Sequence, residues 1–262
     1  MTMVIQTALT IGGAGLACGG LLALAAKFLA VKEDPRIEEI NGILPGANCG
    51  GCGYAGCAAY AEAVLLKGAP INLCAPGGAE VLGHLADITG ETAKVAEHKV
   101  AIVLCGGDVS YAPRKFDYNG VADCRAAQAT GGGDKSCSYG CLGYASCSHA
   151  CPVGAIEMVN GIAKVHRDLC ISCGSCIRTC PRHLIKMVPY ARTIHVMCSS
   201  KDKGPVVKKA CKVGCIGCTI CTKLAENESI KMEGFLAVVD YDKELDNDAV
   251  IEKCPGKCIV RI

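Results

Sequence analysis

Tryptophan is absent from the 262 residues, phenylalanine occurs three times, and aromatic side chains make up 4% of the chain. So few large side chains cannot fill an ordinary core, which points to metal centres as staples in their place. No catalytic triad or phosphate-binding loop is recognisable. Gly131-Gly132-Gly133 is too short and misplaced for a dinucleotide fingerprint, so neither nicotinamide nor flavin is expected on this chain. A formal net charge of +2 gives no sign of a nucleic-acid partner, and none is expected. The first thirty residues also lack acidic side chains and carry Lys27 alone as a charge.

Cysteine is abundant instead, at twenty-two residues. The densest stretch is Cys170-Ile-Ser-Cys173-Gly-Ser-Cys176-Ile-Arg-Thr-Cys180-Pro181. Three cysteines at intervals of three, a fourth after three more residues, and then proline form the bacterial ferredoxin run. It gives three thiolates to one [4Fe–4S] cube and the fourth to another. Zinc sites come as separated Cys-x-x-Cys pairs or with histidines, which this run does not match. A secreted disulfide scaffold is the other use of so much cysteine, but the close spacing and the lack of a cleavable signal peptide oppose it. The chain is read as an electron carrier facing a reducing cytoplasm.

Met3 to Val31 is apolar and glycine-rich, long enough to cross a bilayer of ~30 Å as one helix. Glycines at 12, 13, 15, 19 and 20 weaken a soluble helix but suit close packing of membrane helices. Lys27, Lys32 and Arg36 lie at its far end, so the bias of positive charge toward the cytoplasm leaves the N-terminus outside. The expected localisation is the cell inner membrane, single-pass, with the cysteine-rich bulk on the cytoplasmic side.

Cys49, Cys52, Cys57 and Cys74 then follow in the pattern Cys-x2-Cys-x4-Cys-x16-Cys. Glycines at 46, 50, 51, 53 and 56 allow tight turns that bring amides toward cluster sulfides. Ala58 to Leu66 reads as a helix ended by Gly68 and Pro70, which lets Cys74 return to complete a [4Fe–4S] site. A zinc knuckle is the competing reading. Residues 78–99 read as one amphipathic helical stretch or two.

Farther on, Cys124, Cys137, Cys141, Cys147 and Cys180 each have a cysteine 74 residues later, at 198, 211, 215, 221 and 254. Gly140 with Gly214, Ile156 with Ile230 and Pro181 with Pro255 keep the same offset, so two copies of one unit stand in tandem. Each has a hairpin signal, Ala155 to Val165 around Asn160-Gly161 and Ser229 to Val239 around Gly234. Copy one carries Cys151, Cys170, Cys173 and Cys176 as one complete set. Copy two has Ala225, Glu244, Asn247 and Val250 there and has lost that cluster. Tyr144 stands where copy two has Cys218, so copy one needs a substitute ligand. Cys137, the nearest spare, gives the set Cys137, Cys141, Cys147 and Cys180. Copy two keeps Cys215, Cys218, Cys221 and Cys254. Cys105, Cys124, Cys198 and Cys211 remain, either as ligands of a further centre between the copies or as inert buried thiols. Cys258 reads as core. At least four and possibly five [4Fe–4S] clusters are expected, with all-cysteine ligation and potentials on the order of −400 mV.

These readings give an α+β chain: a single transmembrane helix (1–32), a small helical [4Fe–4S] module (33–100), a two-cluster ferredoxin-like unit (101–190) and a second, degenerate one (191–262). Anchor, glycine-rich cysteine module and ferredoxin-like runs in this order resemble the B subunits of Rnf complexes along essentially the whole chain. The residues carrying the resemblance are Asn48-Cys-Gly-Gly-Cys-Gly-Tyr-Ala-Gly-Cys57, Gly140-Cys-Leu-Gly143, Ser200-Lys-Asp-Lys-Gly204 and Cys211-Lys-Val-Gly-Cys-Ile-Gly-Cys218. The sequence departs from many of these relatives at Lys223-Leu-Ala-Glu226, where a further Cys-Pro pair is expected. The resemblance implies a ferredoxin:NAD oxidoreductase coupled to Na+ or H+ translocation. This chain would relay electrons from soluble ferredoxin to other membrane and flavin-bearing subunits, with no catalytic residue of its own. An anchored polyferredoxin serving a separate reductase without ion pumping is the alternative, and a zinc-stabilised membrane adaptor a third. Lys201, Lys203, Lys208, Lys209 and Lys212 make a basic stretch suited to steering an acidic ferredoxin, or simply a solvated loop.

Overall fold

The computed structural model describes residues 2–28, 34–92 and 97–262. Helix α1, Thr2–Phe28, contains an 18-residue stretch, Ile11–Phe28, of mean hydropathy 1.6 that is buried by nothing in the chain. It is long and apolar enough to cross a membrane, and Lys27 lies in its last turn. Lys32 and the end of the expected span at Val31 lie outside the described residues.

Three helices build the next module. Helix α2, Pro35–Ile43, starts at Asp34, whose carboxylate accepts from the Arg36 amide, with proline at a position that has no amide to satisfy. Helix α3, Cys57–Lys67, stops at Gly68 in the left-handed region (φ 61°). Helix α4, Gly78–Thr89, stops likewise at Gly90. Ile40, Tyr60, Ala61, Val64 and Leu85 form their shared core. Each large apolar side chain buried there stabilises the module by roughly 1.5–3 kcal/mol. The helical reading of 78–99 holds as far as α4. Residues 93–96 lie outside the described residues, and Lys99 already belongs to a strand.

The rest of the chain contains two repeats built alike. In the first, strand β1 (Lys99–Val103) is followed by helices α5 (Cys124–Ala129) and α6 (Ser146–His149). The hairpin β2 (Ile156–Val159) and β3 (Ile162–Val165), helix α7 (Ser175–Thr179) and strand β4 (Ile185–Pro189) complete it. The second runs β5 (Ile194–Val196), α8 (Gly204–Ala210), α9 (Ile220–Leu224), β6 (Ile230–Glu233), β7 (Leu236–Val239), α10 (Ala249–Glu252) and β8 (Ile259–Arg261). In each repeat the first and last strands pair antiparallel, β1 with β4 and β5 with β8, and the hairpin lies between them in the chain. The β2–β3 turn places Asn160 and Gly161 both at positive φ, the geometry that an Asn-Gly pair supplies most readily.

One expected equivalence is corrected here. Val103 faces Ile185 across β1–β4, and Val196 faces Ile259, the counterpart of Ile185, across β5–β8. Val103 therefore corresponds to Val196, and Cys105 rather than Cys124 is the counterpart of Cys198. Cys105 and Cys137 stand 32 positions apart, whereas Cys198 and Cys211 stand 13 apart, so the first repeat carries extra chain in this interval. Cys124 and α5 lie on that extra chain, and the shared offset of Cys124 and Cys198 is coincidental.

Where the second repeat has lost a cysteine set, apolar packing fills the place. Val250 is 1% exposed and lies in one core with Leu245, against which Ala225 packs. The Asn247 amide donates to the Leu224 carbonyl.

Candidate metal centres

The structure gathers twenty of the twenty-two cysteines into five groups of four, with Cys258 bordering the last of them and Cys18 apart on α1. In the helical module, Cys57 opens α3 and its amide donates to the Asn48 side chain at 2.8 Å. A Cβ on Gly56 would stand 2.7 Å from that Asn48 oxygen, so a side chain there would push the oxygen away from the Cys57 amide. Tyr60, buried on the same helix, donates to the Pro70 carbonyl and accepts from the Leu73 amide. This phenol fixes the loop that returns Cys74 to Cys49, Cys52 and Cys57. Burial pushes the Cys74 thiol up, and the three neighbouring cysteines push it further.

Cys151, Cys170, Cys173 and Cys176 line a single cavity of about 320 Å³ with Ala101, Ile156, Val165 and Met187. Two backbone amides point at its sulfurs, Ala101 to Cys170 at 3.4 Å and Ala155 to Cys151 at 3.3 Å. This group touches the helical module directly. Arg178 donates to the carbonyls of both Cys173 and Cys49, and a Cβ on Gly51 would stand 2.8 Å from the Cys173 carbonyl oxygen.

The next cavity, of about 370 Å³, groups its cysteines differently from the expected set. Its cysteines are Cys124, Cys141, Cys147 and Cys180, and Cys137 is not among them. Asp123 caps α5 by accepting from the Arg125 and Ala126 amides, while Ser146 donates to Asp123 and accepts from the Cys124 amide. This bridge ties the extra chain to α6 and sets Cys124 beside Cys147. Tyr144 turns away, donating to Asp134 and accepting from Arg114. Burial pushes Cys147 up to about 12, with Cys141 and Cys124 adding to it.

Cys137 lies with Cys105, Cys198 and Cys211 around a separate cavity of about 340 Å³. In the second repeat, Cys215, Cys218, Cys221 and Cys254 line a fifth space of about 330 Å³. Cys258 borders the same space, its sulfur 3.7 Å from that of Cys254. Bonding from the Cys258 thiol lowers Cys215 to about 6 and Cys254 to about 5, whereas burial raises Cys221 to about 11. Cys258 is thus core, as expected, and also a neighbour of two cysteines of this group, which its place in an apolar tail did not signal.

All-sulfur donor sets, amides aimed at sulfur and mostly apolar walls fit [4Fe–4S] clusters held by cysteine. Among the described residues, no three His, Cys, Asp or Glu side chains gather around the position of a single ion. Among the described residues no cysteine forms a disulfide.

Known proteins agree with this chemistry. A family profile described as "Putative Fe-S cluster" matches residues 44–76, and one described as "4Fe-4S binding domain" matches residues 163–186. The B subunit of the ion-translocating oxidoreductase complex of Methanosarcina acetivorans is 40% identical over 259 residues, covering 98% of this chain and 98% of the relative. The chain belongs to this family of B subunits. Two further members are 42% identical to it. One is the B subunit of the proton-translocating ferredoxin:NAD(+) oxidoreductase complex of Clostridium ljungdahlii, matched over 100% of this chain and 92% of its own. The other is the B subunit of the Na(+)-translocating ferredoxin:NAD(+) oxidoreductase complex of Acetobacterium woodii, matched over 95% and 75%. The family is the one that the sequence resembles, that of the Rnf complexes. Its members carry names with different coupling ions, so membership does not fix the ion.

Proposed function

We propose that the chain is the membrane-anchored electron-relay component of a ferredoxin:NAD oxidoreductase complex that translocates Na+ or H+. The clusters would be held by Cys49, Cys52, Cys57 and Cys74; by Cys151, Cys170, Cys173 and Cys176; by Cys124, Cys141, Cys147 and Cys180; and by Cys215, Cys218, Cys221 and Cys254. On this reading the two repeats are tandem ferredoxin-like units, the second degenerate. Bound clusters supply one-electron carriers at low potential. The protein's own part is to ligate, to bury, and to aim amides at sulfur.

The observation that carries this reading is the contact between successive groups. Gly51 of the module lies against Cys173, Arg178 bridges the Cys49 and Cys173 carbonyls, and α6 and α7 between them bear Cys147 and Cys176, with Cys151 following α6 and Cys180 following α7. Neighbouring carriers held this way need no diffusing intermediary.

Soluble ferredoxin is the proposed donor, and the end of the second repeat is its proposed landing place. Cys218 is exposed there, and so are Val206, Ile220 and Phe235. The Lys203 ammonium lies over the Phe235 ring at 5.9 Å, and Gly204 packs on the Ile216 carbonyl two residues before Cys218. Lys201 and Lys203 thus stand beside an exposed apolar face at a cluster, which suits an acidic partner. Helix α1 serves as a single-pass anchor, and Lys27 at its end favours a cytoplasmic location for the remainder. Flavin and NAD sites belong to partner subunits.

Metal analysis of anaerobically purified full chain, with an electron paramagnetic resonance spectrum after reduction, tests the reading. Iron with reduced-cluster signals is expected. Zinc as the main metal in freshly prepared, functional protein overturns it.

A further inference from the structure

We propose that Cys105, Cys137, Cys198 and Cys211 together hold a further [4Fe–4S] cluster, a composite centre with two ligands from each repeat. The profiles that match the chain, over residues 44–76 and 163–186, reach none of the four. This centre rests on the relay reading and adds a carrier at its middle.

The first support is the symmetry of the donors. Cys105 and Cys198 each lie two residues beyond the strand that opens their repeat, β1 and β5. Cys137 and Cys211 each precede a ligand cysteine by four positions, Cys141 and Cys215. The amides correspond too: the Cys141 amide donates to the Cys105 sulfur at 3.3 Å, and the Cys215 amide lies beside the Cys198 sulfur. Duplication of one unit therefore supplies two half-sites, and neither repeat alone has four thiols for this position.

The space and its surroundings agree. Its lining resembles those of the other groups, with the sulfurs of four cysteines facing one space. Backbone comes close where a side chain would collide: a Cβ on Gly107 would lie 2.8 Å from the Cys211 sulfur. Lys135 lines the same cavity, is 4% exposed, and donates to the Cys141 carbonyl at 2.8 Å. An ammonium buried beside four thiols is costly unless negative charge is near, and a cluster held by four thiolates provides it. On loading, each thiol gives up its proton as its sulfur binds iron.

Location gives the centre its use. Through Cys141 it adjoins the group of Cys124, Cys141, Cys147 and Cys180, and through Cys215 it adjoins the group that ends at exposed Cys218. It joins the clusters of one repeat to the cluster of the other.

The test is iron and acid-labile sulfide per chain on the anaerobic full-length protein, on Cys105→Ser, on Cys198→Ser and on the double variant. The parent should hold about 20 iron atoms, each single variant about four fewer, and the double variant no fewer than either single one, because both residues serve one cube. About 16 in the parent with no loss in the variants overturns the composite centre and leaves the relay reading standing. Additive losses of about eight also overturn it, since they mean two separate sites. One zinc in place of the four irons overturns the cluster assignment. Absence of iron from the parent defeats the relay reading itself. The count on the parent needs no variant, so misfolding of a serine variant does not shield the proposal.

Discussion

Tyr144 occupies the place that Cys218 holds in the second repeat, and the missing thiol comes from Cys124 on the extra chain. The Asp123–Ser146 bridge makes that exchange work, because it docks the start of α5 against α6. Cys124→Ser should therefore lose about four iron atoms, and adding Tyr144→Cys should restore them, read by iron per chain. Tyr144→Cys alone should cost about 1–3 kcal/mol, since it deprives the 1%-exposed Asp134 of a donor. Loss of the same irons from Cys137→Ser with none from Cys124→Ser would reverse the assignment. Cys258→Ala should leave the iron content at the parent value, because Cys258 borders a complete set of four. Local spacing in the sequence was enough to group cysteines that lie close together in the chain and share one cavity, such as Cys170, Cys173 and Cys176. It placed Cys137 rather than Cys124 beside Cys141 and Cys147 because proximity along the chain favoured Cys137, whereas the packing of the extra segment brings Cys124 there.

At the scale of elements, β5 carries a fully buried histidine. His195 accepts or donates through Nδ1 to the Tyr241 hydroxyl at 2.9 Å, and its Nε2 has no partner. Burial lowers its pKa from 6.5 to about 4, with nearby Arg167 acting in the same direction. In the unfolded chain the ring takes a proton below about 6.5, and in the fold it does so only below about 4, so folding stability falls as pH drops through this window. The stability difference between the parent and His195→Gln should shrink from pH 6.5 down to about 4 and then level off, measured by chemical unfolding. A pH-independent difference would contradict this. Around α8, Lys201→Glu with Lys203→Glu should slow ferredoxin oxidation roughly tenfold at low ionic strength, the effect fading as salt shortens the screening length toward ~3 Å. Equal rates at all salt concentrations would place docking elsewhere. The hairpins and α3 were legible from turn residues and periodicity. The pairing of β1 with β4 and of β5 with β8 was not, since partners some 60 to 90 positions apart leave no local mark.

At the scale of the whole molecule, duplication explains more than the tandem cysteine pattern. It gives two repeats closed by their terminal strands, and it sets their thiols facing one cavity at the junction. The five cysteine groups follow one another by contact, from the module after α1 to Cys218. Loss of one set in the second repeat removes a side branch, and Leu245 and Val250 close the gap. Membership in the family of B subunits was legible from motif order. The order of the groups in space was not, because it depends on contacts such as Arg178 with Cys49 that no spacing encodes.

The proposed relay function turns on the chain's taking electrons from ferredoxin. That step is followed by mixing the anaerobic, oxidised full-length chain with reduced ferredoxin and recording cluster absorbance in a stopped-flow instrument, with samples frozen for paramagnetic resonance. Ferredoxin should be reoxidised with matching reduction of several clusters on this chain, and Cys218→Ser and the Lys201/Lys203 reversal should each slow the transfer. Ferredoxin that stays reduced in the presence of a chain with its full complement of iron would contradict the relay.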